Sequence, residues 1–125
     1  MSRSCQLDAS ALLALLQGEP GGESVQDKLD EVEIHIVNLI EVQRKLHRSG
    51  MTLEDVRRAI AHLQIPVETA ITREQAESIA LLYSTYPELS LGDCVCISMA
   101  QCHGRIALTT DRAWSRMGTF VELLR

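Results

Sequence analysis

The sequence has few aromatic residues, with one Trp, two Tyr and one Phe among its 125 residues. Apolar residues nevertheless make up 46% of the chain, so its core must be built from Leu, Ile, Val and Ala. No apolar run approaches the ~18 residues that a membrane helix needs. The apolar stretch 9–16 is preceded by Asp8 and lacks a small-residue cleavage site, which is unlike a signal peptide. We expect one domain spanning residues 1–125, without a membrane segment.

The four cysteines do not form the spacing pattern of a secreted disulfide framework, since Cys94, Cys96 and Cys102 fall on one predicted helix. Reduced thiols in a cytoplasmic protein are the natural interpretation. A zinc site formed by these cysteines and His103 is an alternative. However, positions 94 and 96 point roughly 200° apart around a helix axis, so they cannot close around one ion without unwinding the helix.

The chain lacks a general basic coat for nucleic acid, because 17 acidic side chains outnumber 12 basic ones and the net charge is −5. Basic residues do gather in two places, after Glu41 and around Asp111. They are either solvated helix faces or groups that hold the backbone of a polyanion. The candidate contacts for such a backbone are Arg44, Lys45, Arg112 and Arg116.

Apolar runs and turn residues predict strands that alternate with helices. The strands are expected at 3–7, 32–37, 67–71 and 106–108, with an edge strand at 119–123. Helix starts are indicated by pairs of capping residues three positions apart, namely Asn38 with Glu41, Thr52 with Asp55, Thr72 with Gln75, and Ser90 with Asp93. This alternation predicts an α/β fold with a mainly parallel sheet of four to five strands and helices on both faces.

Four acids occupy equivalent places in this predicted fold. Asp8 and Asp111 follow strands, whereas Glu41 and Asp93 lie near helix starts. In a parallel sheet these places share one edge, so we expect the four carboxylates to converge there. Each acid could instead serve only as a helix cap or favour the positive helix end.

A shared site would require a counter-charge, because like charges about 4 Å apart repel by roughly 4 kcal/mol at an effective dielectric near 20. Without the four acids, 13 acidic side chains remain against 12 basic ones, so nearly all of the charge imbalance would lie in one pocket. Carboxylate oxygens without soft ligands suit Mg²⁺ or Mn²⁺. The chemistry that such a site favours is hydrolysis of a phosphodiester.

The motifs around these acids carry a family resemblance. They are Leu-Asp8-Ala-Ser10, Asn38-Leu-Ile-Glu41, Leu-Gly-Asp93 and Leu-Thr109-Thr-Asp111. In this order and spacing, over nearly the whole chain, they resemble the PIN-domain family and in particular the VapC-type toxins of bacterial toxin–antitoxin pairs. The polar Ser4 and Gln6 in the first strand and the cysteines near Asp93 depart from the family pattern.

The resemblance implies a three-layer α/β/α sandwich and an Mg²⁺- or Mn²⁺-dependent endoribonuclease. The family's acids correspond to Asp8, Glu41, Asp93 and Asp111, with supporting hydroxyls at Ser10 and Thr109. On this basis Asp8, Asp93 and Asp111 are expected metal ligands, direct or through water, and Glu41 is a ligand or positions the attacking water. A homodimer and a small antitoxin partner are also implied, with contacts expected on the helices that follow Ser24 and Thr52.

Two other classes of protein are alternatives to this hypothesis. A phosphoacceptor receiver domain would need an acidic neighbour beside Asp8, which the sequence lacks, and an acceptor Asp after the third strand, where nothing acidic follows residues 67–71 until Glu74. A catalytically inactive PIN-like binding or scaffold module remains the alternative to a nuclease, although four retained acids argue against it.

Overall fold

The computed structural model describes residues 3–125, in which strands and helices alternate along most of the chain. The strands in this part of the chain are β1 (Cys5–Leu7), β2 (Val32–His35), β3 (Val67–Glu68), β4 (Ile106–Thr109) and β5 (Val121–Leu123). The helices are α1 (Ala9–Gln17), α2 (Gly22–Asp27), α3 (Ile36–Arg48), α4 (Leu53–Leu63), α5 (Arg73–Thr85) and α6 (Leu91–His103), followed by a 3₁₀ helix (Arg112–Met117). Every helix within residues 3–125 is too short or too polar to cross a lipid bilayer.

The strands form one sheet in the order β3-β2-β1-β4-β5, and all neighbouring pairs are parallel. The central strand β1 pairs Leu7 with Ile34 on one side and with Leu108 on the other. The predicted parallel sheet is confirmed, and the edge strand predicted at 119–123 is present as β5. Because the strands are parallel, their carboxyl ends lie along one edge of the sheet.

Two apolar cores cover the two faces of the sheet. Leu7, Ile34 and Leu108 belong to a cluster that includes buried residues of α1, α3 and α4. Ala107, whose side chain points to the opposite face, belongs to a second cluster with α6 and the buried Trp114. This arrangement is the predicted three-layer α/β/α sandwich.

The start of α3 differs from the sequence prediction. Asn38 was expected to cap this helix after a strand at 32–37, but β2 ends at His35 and the helix begins at Ile36. His35 is the cap, because its ring Nδ1 accepts a hydrogen bond of 3.1 Å from the backbone N–H of Val37. The Nε2–H then donates to the carbonyl oxygen of Ala70 at 3.1 Å. Asn38 is therefore inside the first turn and free for another role.

The third strand is shorter than predicted, ending at Glu68 rather than at residue 71. The carbonyl of Ala70 is bonded to the His35 side chain. The backbone of this segment is thus held by a side chain from β2, and it leaves the sheet before α5 begins.

The polar residue Gln6 in β1 has a specific partner. Its Oε1 accepts a hydrogen bond of 2.9 Å from Arg105, whose guanidinium also pairs with Glu33 at 3.1 Å. Gln6 is fully buried and Arg105 is 7% exposed, so the contact lies inside the domain. Ser4 precedes the strand, is exposed, and donates to Glu31 at 3.2 Å. The unusual polarity of the first strand thus matches a buried polar network across the sheet.

Candidate functional site

Asp8 stands directly after β1 and caps α1. Its Oδ1 accepts hydrogen bonds from the backbone N–H of Ala11 at 2.8 Å and from the hydroxyl of Ser10 at 2.7 Å. Its Oδ2 accepts from the hydroxyl of Thr109 at 2.6 Å. The residue is 3% exposed. Both hydroxyls predicted to support the site therefore hold this carboxylate.

Burial, with a smaller contribution from the nearby charge of Asp93, raises the pKa of Asp8 from 3.8 to about 6. The hydrogen bonds from Thr109, Ala11 and Ser10 lower it, but they do not compensate for the loss of solvent. A helix cap needs no such burial, since an exposed Thr or Ser does the same work elsewhere in this chain. A buried carboxylate with a raised pKa is typical of a functional site.

Asp93 lies in the first turn of α6 and forms a reciprocal capping box with Ser90. Its Oδ2 accepts from the backbone N–H of Ser90 at 3.0 Å, and the Ser90 hydroxyl accepts from the Asp93 N–H at 3.0 Å. The predicted capping pair is thus confirmed. Capping engages Oδ2 alone, so it does not exclude a second role for the carboxylate.

Glu41 lies in the second turn of α3 rather than the first, and it faces α6. Its Oε1 accepts a hydrogen bond of 3.3 Å from the side chain of Asn38. Burial raises the pKa of Glu41, and the charge of Asp93 raises it further, whereas Asn38 and Lys45 lower it. Glu41 and Asp93 are therefore electrostatic neighbours although they belong to different helices.

Asp111 is placed differently from the other three acids. It is exposed, and its Oδ1 caps the 3₁₀ helix by accepting from the N–H of Ala113 at 2.9 Å. Its own backbone N–H donates to the Thr109 hydroxyl at 3.0 Å, and that hydroxyl donates in turn to Asp8. Thr109 therefore ties the backbone of Asp111 to the carboxylate of Asp8.

Cys96 lies within the electrostatic reach of three of the acids. Its side chain is fully buried, and its pKa is raised well above 9.0 by burial and then by the charges of Asp8, Asp93 and Glu41. That thiol is neutral at physiological pH, so it is not a thiolate ligand or nucleophile.

The donor set suits a hard divalent cation. None of the ion pairs found within residues 3–125 involves Asp8, Glu41, Asp93 or Asp111. Partly buried carboxylates without a cationic partner are costly, and oxygen-only ligands are those that Mg²⁺ and Mn²⁺ prefer. Within the described residues, no group of three or more His, Cys, Asp or Glu side chains is placed to hold one metal ion directly.

The predicted RNA-contact residues are not equivalent. Arg44, Lys45 and Arg112 are exposed, and the charge of Lys45 acts on Glu41. Arg116 instead pairs with Glu88 and lies 5.7 Å above the ring of Tyr86.

Several site residues were not identified from the sequence. Asn38 and Gly92 contact Glu41, and the buried Cys96 is affected by the charges of Asp8, Asp93 and Glu41. Arg125 reaches the Thr110 hydroxyl at 3.5 Å, and Thr110 donates its N–H to Ser10 at 3.0 Å. Asn38 and Gly92 stand inside the motifs of the sequence. Their contacts, and those of Arg125 and Thr110, could not be predicted, because they join segments that are far apart in the chain.

The zinc alternative finds no support in the described part of the chain. Cys94 and Cys96 are buried, while Cys102 is exposed and contacts the side chain of Gln75 at 3.4 Å. His103 is bonded to Glu68 at 2.9 Å. These side chains face different neighbours and do not meet around one point.

The fold is an all-parallel α/β domain, and the candidate acids Asp8 and Asp111 follow the carboxyl ends of β1 and β4. A family model described as PIN domain matches residues 6–119. The chain belongs to the PIN domain family. A search of curated proteins finds no match.

Solved structures show the same fold. A chain of a toxin–antitoxin complex from Klebsiella pneumoniae superposes with a TM-score of 0.77 and 18% identity, covering 98% of each chain. A chain of VapBC2 from Rickettsia felis, bound to a DNA fragment from its promoter, superposes with a TM-score of 0.71 and 12% identity, covering 97% of this chain and 98% of that chain. At this identity the likeness establishes the fold alone.

Proposed function

We propose that this protein is a metal-dependent endoribonuclease and the toxin component of a type II toxin–antitoxin pair. The observation that carries the proposal is how the acids are held at this edge: Ser10 and Thr109 hold the buried carboxylate of Asp8, and the Glu41 carboxylate lies against Gly92, next to Asp93. Asp111 joins them through the shared hydroxyl of Thr109. Membership of the PIN domain family supports a nuclease, and the toxin–antitoxin proteins of similar fold support the biological setting.

In this proposal Asp8, Asp93 and Asp111 hold Mg²⁺ or Mn²⁺, directly or through water. A cation bound there would lower the pKa of a water molecule and neutralise charge on the leaving oxygen of a phosphodiester. Glu41 completes the ligand set or orients the attacking water.

The hydroxyls of Ser10 and Thr109 hold Asp8 in one orientation, since both donate to its carboxylate. They also link the Asp8 loop to the end of β4, because Ser10 accepts from the N–H of Thr110 and the last residue of β4, Thr109, donates to Asp8. Preorganised groups of this kind reduce the reorganisation that the reaction requires. Ser10 and Thr109 are therefore supporting residues of the proposed centre.

The RNA backbone is proposed to bind along the exposed cations that flank the acids. Lys45 is best placed, since its charge already acts on Glu41. Arg44 and Arg112 are exposed beside Lys45 and Asp111 in the sequence. Arg116 would first have to leave Glu88.

Protein partners are proposed to cover an apolar groove of about 310 Å³ between α5, α6 and the start of α3. Ile71, Tyr83 and Leu91 line it and are 41%, 45% and 52% exposed. Helix α4, on which contacts were expected, exposes Leu53, whereas its Val56 is buried in the core. A homodimer and an antitoxin contact are both proposed for this protein, and the groove is an apolar surface available to them.

RNA cleavage by an Asp93→Asn variant tests the proposal. Asp55→Asn is a matched control, because Asp55 occupies the same position in the first turn of α4, where its N–H donates to the cap residue Thr52 at 3.1 Å. We expect the parent and Asp55→Asn to cleave single-stranded RNA in Mg²⁺ or Mn²⁺, and Asp93→Asn to lose at least 100-fold in rate while remaining folded.

Equal cleavage by Asp93→Asn and the parent would contradict the site assignment. A folded parent that binds RNA and cleaves none in either metal would favour the inactive PIN-like binding module.

A further inference from the structure

The side-chain amide of Asn38 joins the two helices that carry Glu41 and Asp93. Its Nδ2 donates to Oε1 of Glu41 at 3.3 Å and to the carbonyl oxygen of Gly92 at 3.0 Å. Both partners are acceptors, so only the NH₂ end of the amide can face them. Asn38 is 1% exposed, which places this bridge away from bulk water.

Gly92 leaves the space in which the Glu41 carboxylate lies. A Cβ atom at position 92 would stand 2.0 Å from Oε1 of Glu41 and 2.6 Å from its Cδ. Gly92 is inside α6 and does not have the positive φ that favours glycine in turns. Glycine is a poor helix former, so its presence here is accounted for by the carboxylate of another helix.

Among the described residues, Asn38 is the hydrogen-bond partner found for the Glu41 side chain. Glu41 has a flexible side chain, and the like charge of Asp93 repels it. The space above Gly92 admits the carboxylate, and the amide of Asn38 holds it there.

We propose that Asn38 and Gly92 are positioning residues, which hold the Glu41 carboxylate against α6 next to Asp93 before any cation or substrate binds. This inference rests on the proposed function, because holding Glu41 next to Asp93 matters only if the two carboxylates belong to a metal centre. Neither residue contacts the substrate or the reacting atoms in this account, and both act through Glu41.

Gly92→Ala is the most informative variant, because it obstructs the carboxylate at the end of a flexible side chain and places a better helix former in α6. We expect its thermal stability to equal or exceed that of the parent. Its affinity for Mn²⁺, measured by calorimetry on the metal-free protein, should fall at least tenfold, and RNA cleavage should fall with it.

Asn38→Ala removes the bridge itself and should lose Mn²⁺ affinity together with stability. Val42→Ala controls for the stability loss, since Val42 is fully buried on the same helix and packs in the apolar core. It should unfold at a lower temperature while binding Mn²⁺ as the parent does.

A Glu41→Gln background distinguishes positioning from a general structural role. If both residues act through the Glu41 carboxylate, Gly92→Ala and Asn38→Ala should cause little further loss of Mn²⁺ affinity in that background. Additive losses there would overturn the inference, as would parental Mn²⁺ affinity in Gly92→Ala when the parent binds Mn²⁺ and cleaves RNA. A parent that neither binds Mn²⁺ nor cleaves would overturn the proposed function, and the inference with it.

Discussion

The hydroxyl of Thr109 donates a hydrogen bond of 2.6 Å to Oδ2 of Asp8, although 101 residues separate them in the sequence. The same hydroxyl accepts from the backbone N–H of Asp111 at 3.0 Å. One buried oxygen therefore fixes a side chain after β1 and the backbone after β4. This pairing sets the relative positions of two acids in the proposed centre.

Thr109→Val should remove this link with little change in side-chain volume. We expect a loss of about 1–3 kcal/mol in the free energy of unfolding, because the N–H of Asp111 loses its partner and Oδ2 of Asp8 keeps only its hydrogen bond from Ser10. RNA cleavage should fall as well. Urea denaturation and a cleavage assay measure the two effects.

Thr109→Ser is the matched control for this change, since it keeps the hydroxyl and loses only a methyl group. It should retain most of the cleavage activity. Equal activity of the Val and Ser variants would mean that the hydroxyl does not support the site.

The buried carboxylate of Asp8 should make the protein less stable as the pH rises. Its pKa is raised from 3.8 to about 6, so the folded state favours the protonated form. Its contribution is therefore most favourable below about pH 4 and is lost as the pH rises through about 6. The shift corresponds to roughly 3 kcal/mol.

Asp8→Asn tests this sign directly in metal-free buffer. The variant should be more stable than the parent by up to about 3 kcal/mol at pH 8 and nearly equal to it at pH 4, by urea denaturation. Asp27→Asn, at an exposed position, should change stability little at either pH. A parent that is the more stable protein at pH 8 would contradict the unfavourable burial of a charged Asp8.

Lys45 should contribute to RNA binding through a phosphate contact. In an Asp93→Asn background, which prevents cleavage, Lys45→Met should weaken binding and reduce the slope of log affinity against log salt by about 0.7. Fluorescence anisotropy at several salt concentrations measures both. Lys28→Met is the control, because Lys28 is paired with Glu122 at 2.7 Å and should leave the slope unchanged.

Sedimentation distinguishes the two surfaces considered for protein contacts. If the groove lined by Tyr83 and Leu91 mediates a homodimer, Tyr83→Asp should convert a sedimenting dimer into a monomer. Leu53→Asp, at an exposed position of α4, should leave the dimer intact. The reverse result would place the contact on α4, and a monomeric parent would argue against self-association.

The sequence predicted the parts of the fold that depend on local patterns. Apolar runs located the strands, and the pairs Thr72 with Gln75 and Ser90 with Asp93 form the capping boxes that their spacing indicated. The predicted cap of α3, Asn38, was wrong. The ring of His35 accepts the capping hydrogen bond instead, a role that Asn, Ser or Thr more often has.

The support of the candidate site could not be predicted from local patterns. Asn38 and Gly92 are 54 residues apart, and their contact depends on how α3 packs against α6. The burial of Asp8 and Cys96 likewise depends on the whole edge of the sheet. The sequence thus indicated which acids to examine, while tertiary packing determines how each is held.

Anomalous diffraction from crystals soaked in Mn²⁺ tests the central claim most directly. We expect an anomalous peak at the sheet edge, close enough to the Asp8, Asp93 and Asp111 carboxylates for direct coordination or for coordination through one water molecule. The peak should be absent from Asp93→Asn crystals. No Mn²⁺ at this edge under saturating conditions, or a peak that persists unchanged in Asp93→Asn, would contradict the proposed metal centre.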